Sequence, residues 1–299
     1  MENRWVAFHV FFHNVSKYDE LINLVANQFM DWQYENLIEK WFFIRYWEGG
    51  PHIRFRMLNP ASKQLEEDLE QLIHNFIENN KSNRPLTKEE FYKNHKFDGV
   101  PLDYHQLPWH EEGEVVSYPY SQEIERYGGE LVMHLSETIF MHSSQLAVKI
   151  LEVGKNECLR KLIYSIALTF LSMQEFRKSY GEENMRDYIT FYQTLWEGFV
   201  EENEMEHRTS TFIEKNWKII VNMITKLRNS DDIMKDIEEI QSLFEEKASI
   251  VKDKKYLDYI VASHIHMTNN RLGVPPVCEY LISKALANII EEGDSLGIR

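Results

Sequence analysis

Cysteine is scarce in this sequence. Among 299 residues only Cys158 and Cys278 carry thiols, too few and too far apart for a disulfide framework or a cysteine metal cluster. Both are expected to be reduced, in a cytoplasmic protein. Basic charge is also short, with 33 Lys and Arg against 48 Asp and Glu and a formal net charge of -15. Affinity for nucleic acid rests on Lys and Arg displacing counterions from phosphates, so direct tRNA binding is disfavoured, while a local basic pocket would stand out against acidic surroundings. No run approaches the roughly 18 to 20 uninterrupted apolar residues that cross a bilayer. The opening MENRWVAFHVFFHN lacks a basic leader and a small-residue cleavage site, and reads as a strand rather than a signal peptide. No Walker-type loop, dinucleotide fingerprint or His-Glu-x-x-His helix occurs, so nucleotide and metal chemistry find no support and no cofactor is expected. His105, His110 and Glu111 are the nearest approach to a metal set, without cysteine partners or regular ligand spacing.

Aromatic mass is what the chain has in quantity: 17 Phe, 15 Tyr and 7 Trp within a hydrophobic share of 43%. That supplies more apolar surface than a disordered chain carries, so a sizeable packed core follows, in one large domain or two closely packed ones. Trp5 to Phe12 has strand composition, and Ser16 then reads as the cap of a helix whose Leu21, Leu24, Val25, Gln28, Phe29 and Trp32 follow helical spacing. Trp41 to Trp47 and His52 to Leu58 are β-rich runs joined by Glu48-Gly49-Gly50-Pro51, which predicts a hairpin. Asn59-Pro60 reads as the opening of a helix with Leu65, Leu69, Leu72, Ile73, Phe76 and Ile77 on one face. Asn79 to Pro119 reads as loops and short strands. From Gly129 onward helical periodicity dominates, over Leu131 to Ile150, Cys158 to Phe176, Met185 to Val200, Phe212 to Leu227, Ile233 to Phe244, Tyr256 to Asn270 and Pro276 to Ile290. The fold class is therefore α+β: an N-terminal antiparallel sheet with flanking helices, followed by a largely helical C-terminal half. No internal repeat or low-complexity linker interrupts it, so residues 1–299 are expected to form one unit, with 1–128 mixed and 129–299 mainly helical.

Three segments carry polar groups suited to chemistry. Strand alternation over His52-Ile53-Arg54-Phe55-Arg56-Met57 puts His52, Arg54 and Arg56 on one face and the apolar residues on the other. Two adjacent arginines suit bidentate carboxylate binding, although an exposed sheet face or pairing to Glu would give the same pattern. In YSQEIERYGG, one helical turn lets Glu123 and Arg126 share a face, as a functional pair or as a local ion pair before a Gly-Gly helix start. In SHIHMTNNRLG, Ser263, His266 and Asn270 fall on one helical face, where a histidine acts as an acid or base near neutral pH or simply packs.

In order and separation, these blocks resemble one family. WFFIRYWEGGPHIRFRM resembles the hairpin of the thiopeptide-type bacteriocin biosynthesis domain, the C-terminal elimination domain of lantibiotic dehydratases. YSQEIERYGG is similar to that family's second block, and SHIHMTNNRLG to its C-terminal His-Met-x-x-Asn-Arg block. The resemblance spans nearly the whole chain and implies elimination of glutamate from glutamylated Ser or Thr of a ribosomally made precursor peptide, giving dehydroalanine or dehydrobutyrine. It implies a split system, with a separate glutamyl-tRNA-dependent glutamylation protein as partner. Carried over by position, Arg54, Arg56 and Arg126 hold the glutamyl group and leaving carboxylate, Glu123 orients an arginine, and His266 is the acid/base group, with His264 in reserve. His52, Arg45, Asn270 and Arg271 complete the expected substrate-binding set. The resemblance leaves two other readings open: a formal aza-[4+2] cycloaddition of two dehydroalanines, and a non-catalytic scaffold that binds a leader peptide. An exposed strand such as Trp5 to Phe12 would suit edge addition of a peptide.

Overall fold

The computed structural model describes residues 4–84, 86–93, 96–97, 100–101, 103–154, 157–199 and 202–296. The chain divides into two compact units, Met1–Gln122 with Leu151–Asn156, and Glu123–Ile150 with Glu157–Arg299.

In the first unit the alternating sequence produces β1 (Trp5–Phe11), β2 (Lys40–Tyr46) and β3 (His52–Leu58), with α1 (Tyr18–Tyr34) and α2 (Lys63–Asn80) between and after them. The short elements α3 (Lys88–Tyr92), β4 (Lys96–Phe97), β5 (Val100–Pro101) and β6 (Val115–Ser117) follow. The main sheet is antiparallel in the order β2-β3-β1-β6, and β4 pairs with β5 separately. β2 and β3 form the expected hairpin, with Tyr46 opposite His52, Ile44 opposite Arg54 and Phe42 opposite Arg56. Gly50 in its turn lies at φ +112, a conformation that side-chain-bearing residues rarely adopt. One sheet face is core: Ile53, Phe55 and Met57 are buried, and Phe29 of α1 packs against Trp41 and Phe55 at ring separations of 5.6 and 6.3 Å. Two expected helix caps are corrected. Ser16 falls inside a short 3-10 turn, where its hydroxyl donates to Asn14 Oδ1, and α1 starts only at Tyr18 after Lys17. Asn59 does not open α2, whose N-terminal flank is Ser62; it sits at φ +51, with Oδ1 accepting from Arg4 N and Nδ2 donating to Glu39 Oε1, each at 2.8 Å. A tertiary tie at the strand ends therefore outweighs its capping propensity.

The second unit is helical: α4 (Glu130–Gly154), which runs from this unit into Leu151–Asn156 of the first, then α5 (Cys158–Lys178), α6 (Met185–Thr194), α7 (Glu202–Arg228), α8 (Asp231–Ile250), α9 (Lys254–Leu272) and α10 (Pro276–Leu296). The periodicity places all of these; α6 is shorter than expected, stopping at Thr194 before a 3-10 turn over Glu197–Phe199, and α7 starts earlier, at Glu202. Every residue from Ile163 to Met173 of α5 is buried. A stretch buried on all sides must be enclosed by other elements, and α5 packs against α7, α8, α9 and α10. Among the described residues, no helix is long and apolar enough to cross a membrane.

Phe29 is fully buried and joins α1 to the sheet. Phe29→Ala is expected to lower the unfolding free energy by about 3–5 kcal/mol through lost burial and the cavity left behind. Urea unfolding followed by Trp fluorescence checks this, with the midpoint falling at an unchanged m-value.

Candidate active-site residues

In the first unit, Arg54 and Arg56 project from the face of β3 opposite the core, both half-buried. Arg54 lies over the Tyr46 ring at 3.6 Å, and Arg56 lies 4.6 Å from the Tyr120 ring and 5.1 Å from that of Phe42. Stacking on aromatic faces holds a guanidinium in place without consuming all its donors. His52 shares this face but is completely buried. Arg54 Nε donates to His52 Nε2 at 3.0 Å, so Nε2 is the acceptor and the ring proton sits on Nδ1, which donates to the Gly50 carbonyl at 2.9 Å. Burial, reinforced by the Arg54 charge and opposed by the Gly50 hydrogen bond, lowers the His52 pKa to about 3. His9 stacks on His52 at 5.3 Å and is lowered to about 2, first by burial and then by the Arg54 charge. Two neutral imidazoles thus accompany two fixed cations. Arg45 is set apart from this group: opposite Ile53 in the register, it lies on the α1 side and pairs with buried Asp19 at 2.8 Å.

In the second unit, Glu123 and Arg126 come together as the one-turn spacing predicts. A 3-10 turn over Glu125–Tyr127 brings Arg126 Nη1 to Glu123 Oε2 at 3.0 Å. The turn is held from three sides. Lys247 of α8 donates to the Tyr127 carbonyl at 3.0 Å and also contacts the Ser136 hydroxyl, which itself donates to the same carbonyl. The Tyr256 hydroxyl donates to the Glu125 carbonyl. Gly128 closes the turn at φ +104, where an added Cβ would meet Val132 Cγ2 at 2.8 Å and Ile260 Cδ1 at 3.1 Å. Lys247 is fully buried, and desolvation lowers its pKa to about 7. Sequence reading missed it, because a lysine amid the charged face of α8 reads as solvated.

The two histidines of α9 part company, since residues two apart on a helix point about 200° from each other. His264 is buried among the rings of Tyr127, Phe140 and Phe244 at 4.9–5.4 Å, and burial first, then Lys247, Arg271 and Arg126, hold it well below the ordinary histidine pKa. His266 keeps 17% of its side chain exposed. Its Nδ1 meets Glu279 Oε1 at 3.0 Å and its ring rests on Trp196 at 4.8 Å, while its Nε2 has no hydrogen-bond partner among the described residues. Arg271 is buried, with Nε donating to Ser144 Oγ at 2.9 Å, so it braces α9 against α4. Asn270 contributes its carbonyl to the Gly273 amide at the helix end, at 2.9 Å. Glu279, fully buried in the first turn of α10, was missed: an acidic residue there reads as a partner of the helix dipole. Among the described residues no group of three His, Cys, Asp or Glu side chains is arranged to hold a metal ion; His110 instead stacks on Phe11 at 4.0 Å and binds Glu114 at 2.8 Å.

A family model described as lantibiotic biosynthesis dehydratase C-term matches residues 5–290. Epidermin biosynthesis protein EpiB of Staphylococcus epidermidis is 26% identical over 259 residues, covering 83% of this chain and 22% of EpiB. Among solved structures, the fold is similar to that of the pyridine synthase TbtD from thiomuracin biosynthesis, with a TM-score of 0.72, 13% identity and 99% of this chain covering 100% of TbtD. It is also similar to the tRNA-dependent lantibiotic dehydratase MibB from Microbispora sp. 107891, with a TM-score of 0.63 and 16% identity over 97% of this chain and 28% of MibB. The chain spans about a quarter of MibB and a smaller share of EpiB.

The buried lysine generates a pH signature. Unfolded, Lys247 holds its proton to near the ordinary lysine value of 10.5; folded, it releases it near 7. Between these values the unfolded chain binds more protons, so this group makes stability rise with pH. Lys247→Met is expected to remove that rise from the pH dependence of the denaturation midpoint, and an unchanged slope would show that the amine is not desolvated as described.

Proposed function

The chain belongs to the lantibiotic biosynthesis dehydratase C-terminal family, and from that premise we propose that it eliminates glutamate from glutamylated Ser or Thr residues of a ribosomally made precursor peptide. The family comprises biosynthetic enzymes of the lantibiotic and thiopeptide type. The observation that carries the finer reading is His266, an imidazole with one nitrogen anchored on a buried carboxylate and the other, on a partly exposed ring, without a hydrogen-bond partner among the described residues. That is the arrangement a proton-transfer group requires.

In this reading His266 Nε2 takes the α-proton of the esterified residue. The freed electron pair forms the Cα–Cβ double bond, the Cβ–O bond breaks, and glutamate departs as a carboxylate, leaving dehydroalanine from Ser or dehydrobutyrine from Thr. The imidazolium then loses its proton to solvent. Arg126, fixed on its turn and aligned by Glu123, stabilises developing carboxylate charge. Arg54 and Arg56 supply fixed positive charge for carboxylate recognition, with His52 acting through Arg54 rather than on substrate. The part-buried ion pair of Arg45 with Asp19 supports the hairpin of the first unit, and the brace formed by Arg271 supports α9 in the second. The ester must come from an acylating activity upstream, by a glutamylation protein or domain. A second reading, formal cycloaddition of two dehydroalanines, is favoured by the likeness of fold to TbtD.

Incubation with a chemically glutamylated Ser-containing precursor peptide, followed by mass spectrometry, tests the proposal. Loss of glutamate is expected, slowed about 10²- to 10⁴-fold by His266→Ala, the range for removing a positioned acid/base group. Arg126→Ala is expected to slow it by about 10²- to 10³-fold, comparable to losing a charge-stabilising donor. Inertness toward the ester combined with cyclisation of a peptide already carrying two dehydroalanines would replace elimination by the second reading. Turnover indifferent to these substitutions would leave only a scaffold.

A further inference from the structure

The carboxylate behind His266 is more than a neighbour, because its own hydrogen bonds determine which ring nitrogen it can accept from. Glu279 Oε2 takes two donors, Asn269 Nδ2 at 2.9 Å and the Tyr192 hydroxyl. Neither can reverse. Asn269 is buried, and its Oδ1 accepts from the Ser165 hydroxyl, which leaves the amide NH₂ facing Glu279. Tyr192 is completely buried, and burial first, then the Glu279 charge, push its pKa well above the usual tyrosine range, so it remains a phenol and a donor. Oε2 being saturated, Oε1 is the carboxylate's remaining acceptor, and it faces His266 Nδ1 at 3.0 Å. A carboxylate excluded from water requires a donor there, and only the Nδ1–H form of the ring supplies one. The Trp196 ring, 4.8 Å away, packs against the imidazole.

We propose that Glu279 is a positioning residue for His266: it fixes the imidazole as the Nδ1–H tautomer, presents Nε2 as the proton acceptor, and stabilises the imidazolium that forms when the proton is taken. The tautomer assignment stands on the hydrogen bonds alone, whereas its catalytic consequence rests on the elimination reading above. The isosteric change Glu279→Gln separates the two roles. Tyr192 and Asn269 still donate, so the new amide oxygen occupies the Oε2 position and its NH₂ turns to His266. That NH₂ can only donate to Nδ1, which drives the ring to the Nε2–H form and blocks the acceptor.

Two measurements on the full chain test this. ¹⁵N–¹³C spectra of histidine-labelled protein, with His266 assigned by its disappearance in His266→Asn, report the tautomer without any substrate. The expected result is Nδ1–H in the wild type and Nε2–H in Glu279→Gln. With glutamylated peptide, kcat is expected to fall about 10²- to 10⁴-fold in Glu279→Gln, with KM within about threefold of wild type, because the loss is confined to the transition state. An Nε2–H ring in the wild type overturns the proposal even if the variant does not fold. So does a folded Glu279→Gln protein that retains Nδ1–H and full kcat. A wild type that is inert to the ester but shows the Nδ1–H ring counts against elimination while upholding the role of Glu279.

Discussion

Glu279 lies where α6, α9 and α10 converge, with no exposure, and accepts hydrogen bonds from each of the first two helices. A lone carboxylate transferred out of water is costly by many kcal/mol, and the cost is offset only when its oxygens are filled by donors of good geometry. The helices of the second unit must therefore arrive together: α6 brings Tyr192, α9 brings both Asn269 and His266, and α5 fixes Asn269 through Ser165 and Thr169. A helix displaced by one residue would strand a buried charge rather than merely loosen packing. This discrimination against near-native registers is specificity that an all-apolar seam would lack.

The same economy governs the Arg126 turn. Its backbone carbonyls are claimed by Lys247, Ser136 and Tyr256, from three helices, and its terminal glycine has no room for a side chain. A three-residue 3-10 turn has little stability of its own, yet here it is determined from outside. The guanidinium it carries can remain half-buried without wandering, the condition under which a charged donor contributes to charge stabilisation without first being reorganised.

Much of this was legible in sequence, and the boundary has physical causes. Period-2 and period-3.6 patterns mark out the hairpin and every helix after Gly129, because burying one face is the dominant constraint on a strand or helix. Caps at Ser16 and Asn59 misled, since both residues spend their side chains on neighbours: Ser16 on Asn14, and Asn59 on Arg4 and Glu39, the latter two brought near only by the sheet. Arg54 and Arg56 were readable as a cationic stripe; the opposite orientation of Arg45 follows once the register pairs it with Ile53, but not from composition. His266 and His264 have like neighbours in sequence and differ only in which face of α9 they occupy. Glu279 lies beyond a helix end and a Pro-Pro turn from His266, and no local pattern links an acid in one helix to a ring in another.

The paired imidazoles beside the hairpin arginines have a further consequence. With His9 lowered to about 2 and His52 to about 3, neither takes up a proton anywhere near neutrality. Neither ring therefore adds positive charge beside the two guanidiniums as the pH falls through the ordinary histidine range. The pull of those guanidiniums on an anion does respond to ionic strength, since screening over a Debye length of about 8–10 Å acts on half-exposed charges. The ring proton of His52, held on the Gly50 carbonyl, serves as a fixed strut rather than as a signal.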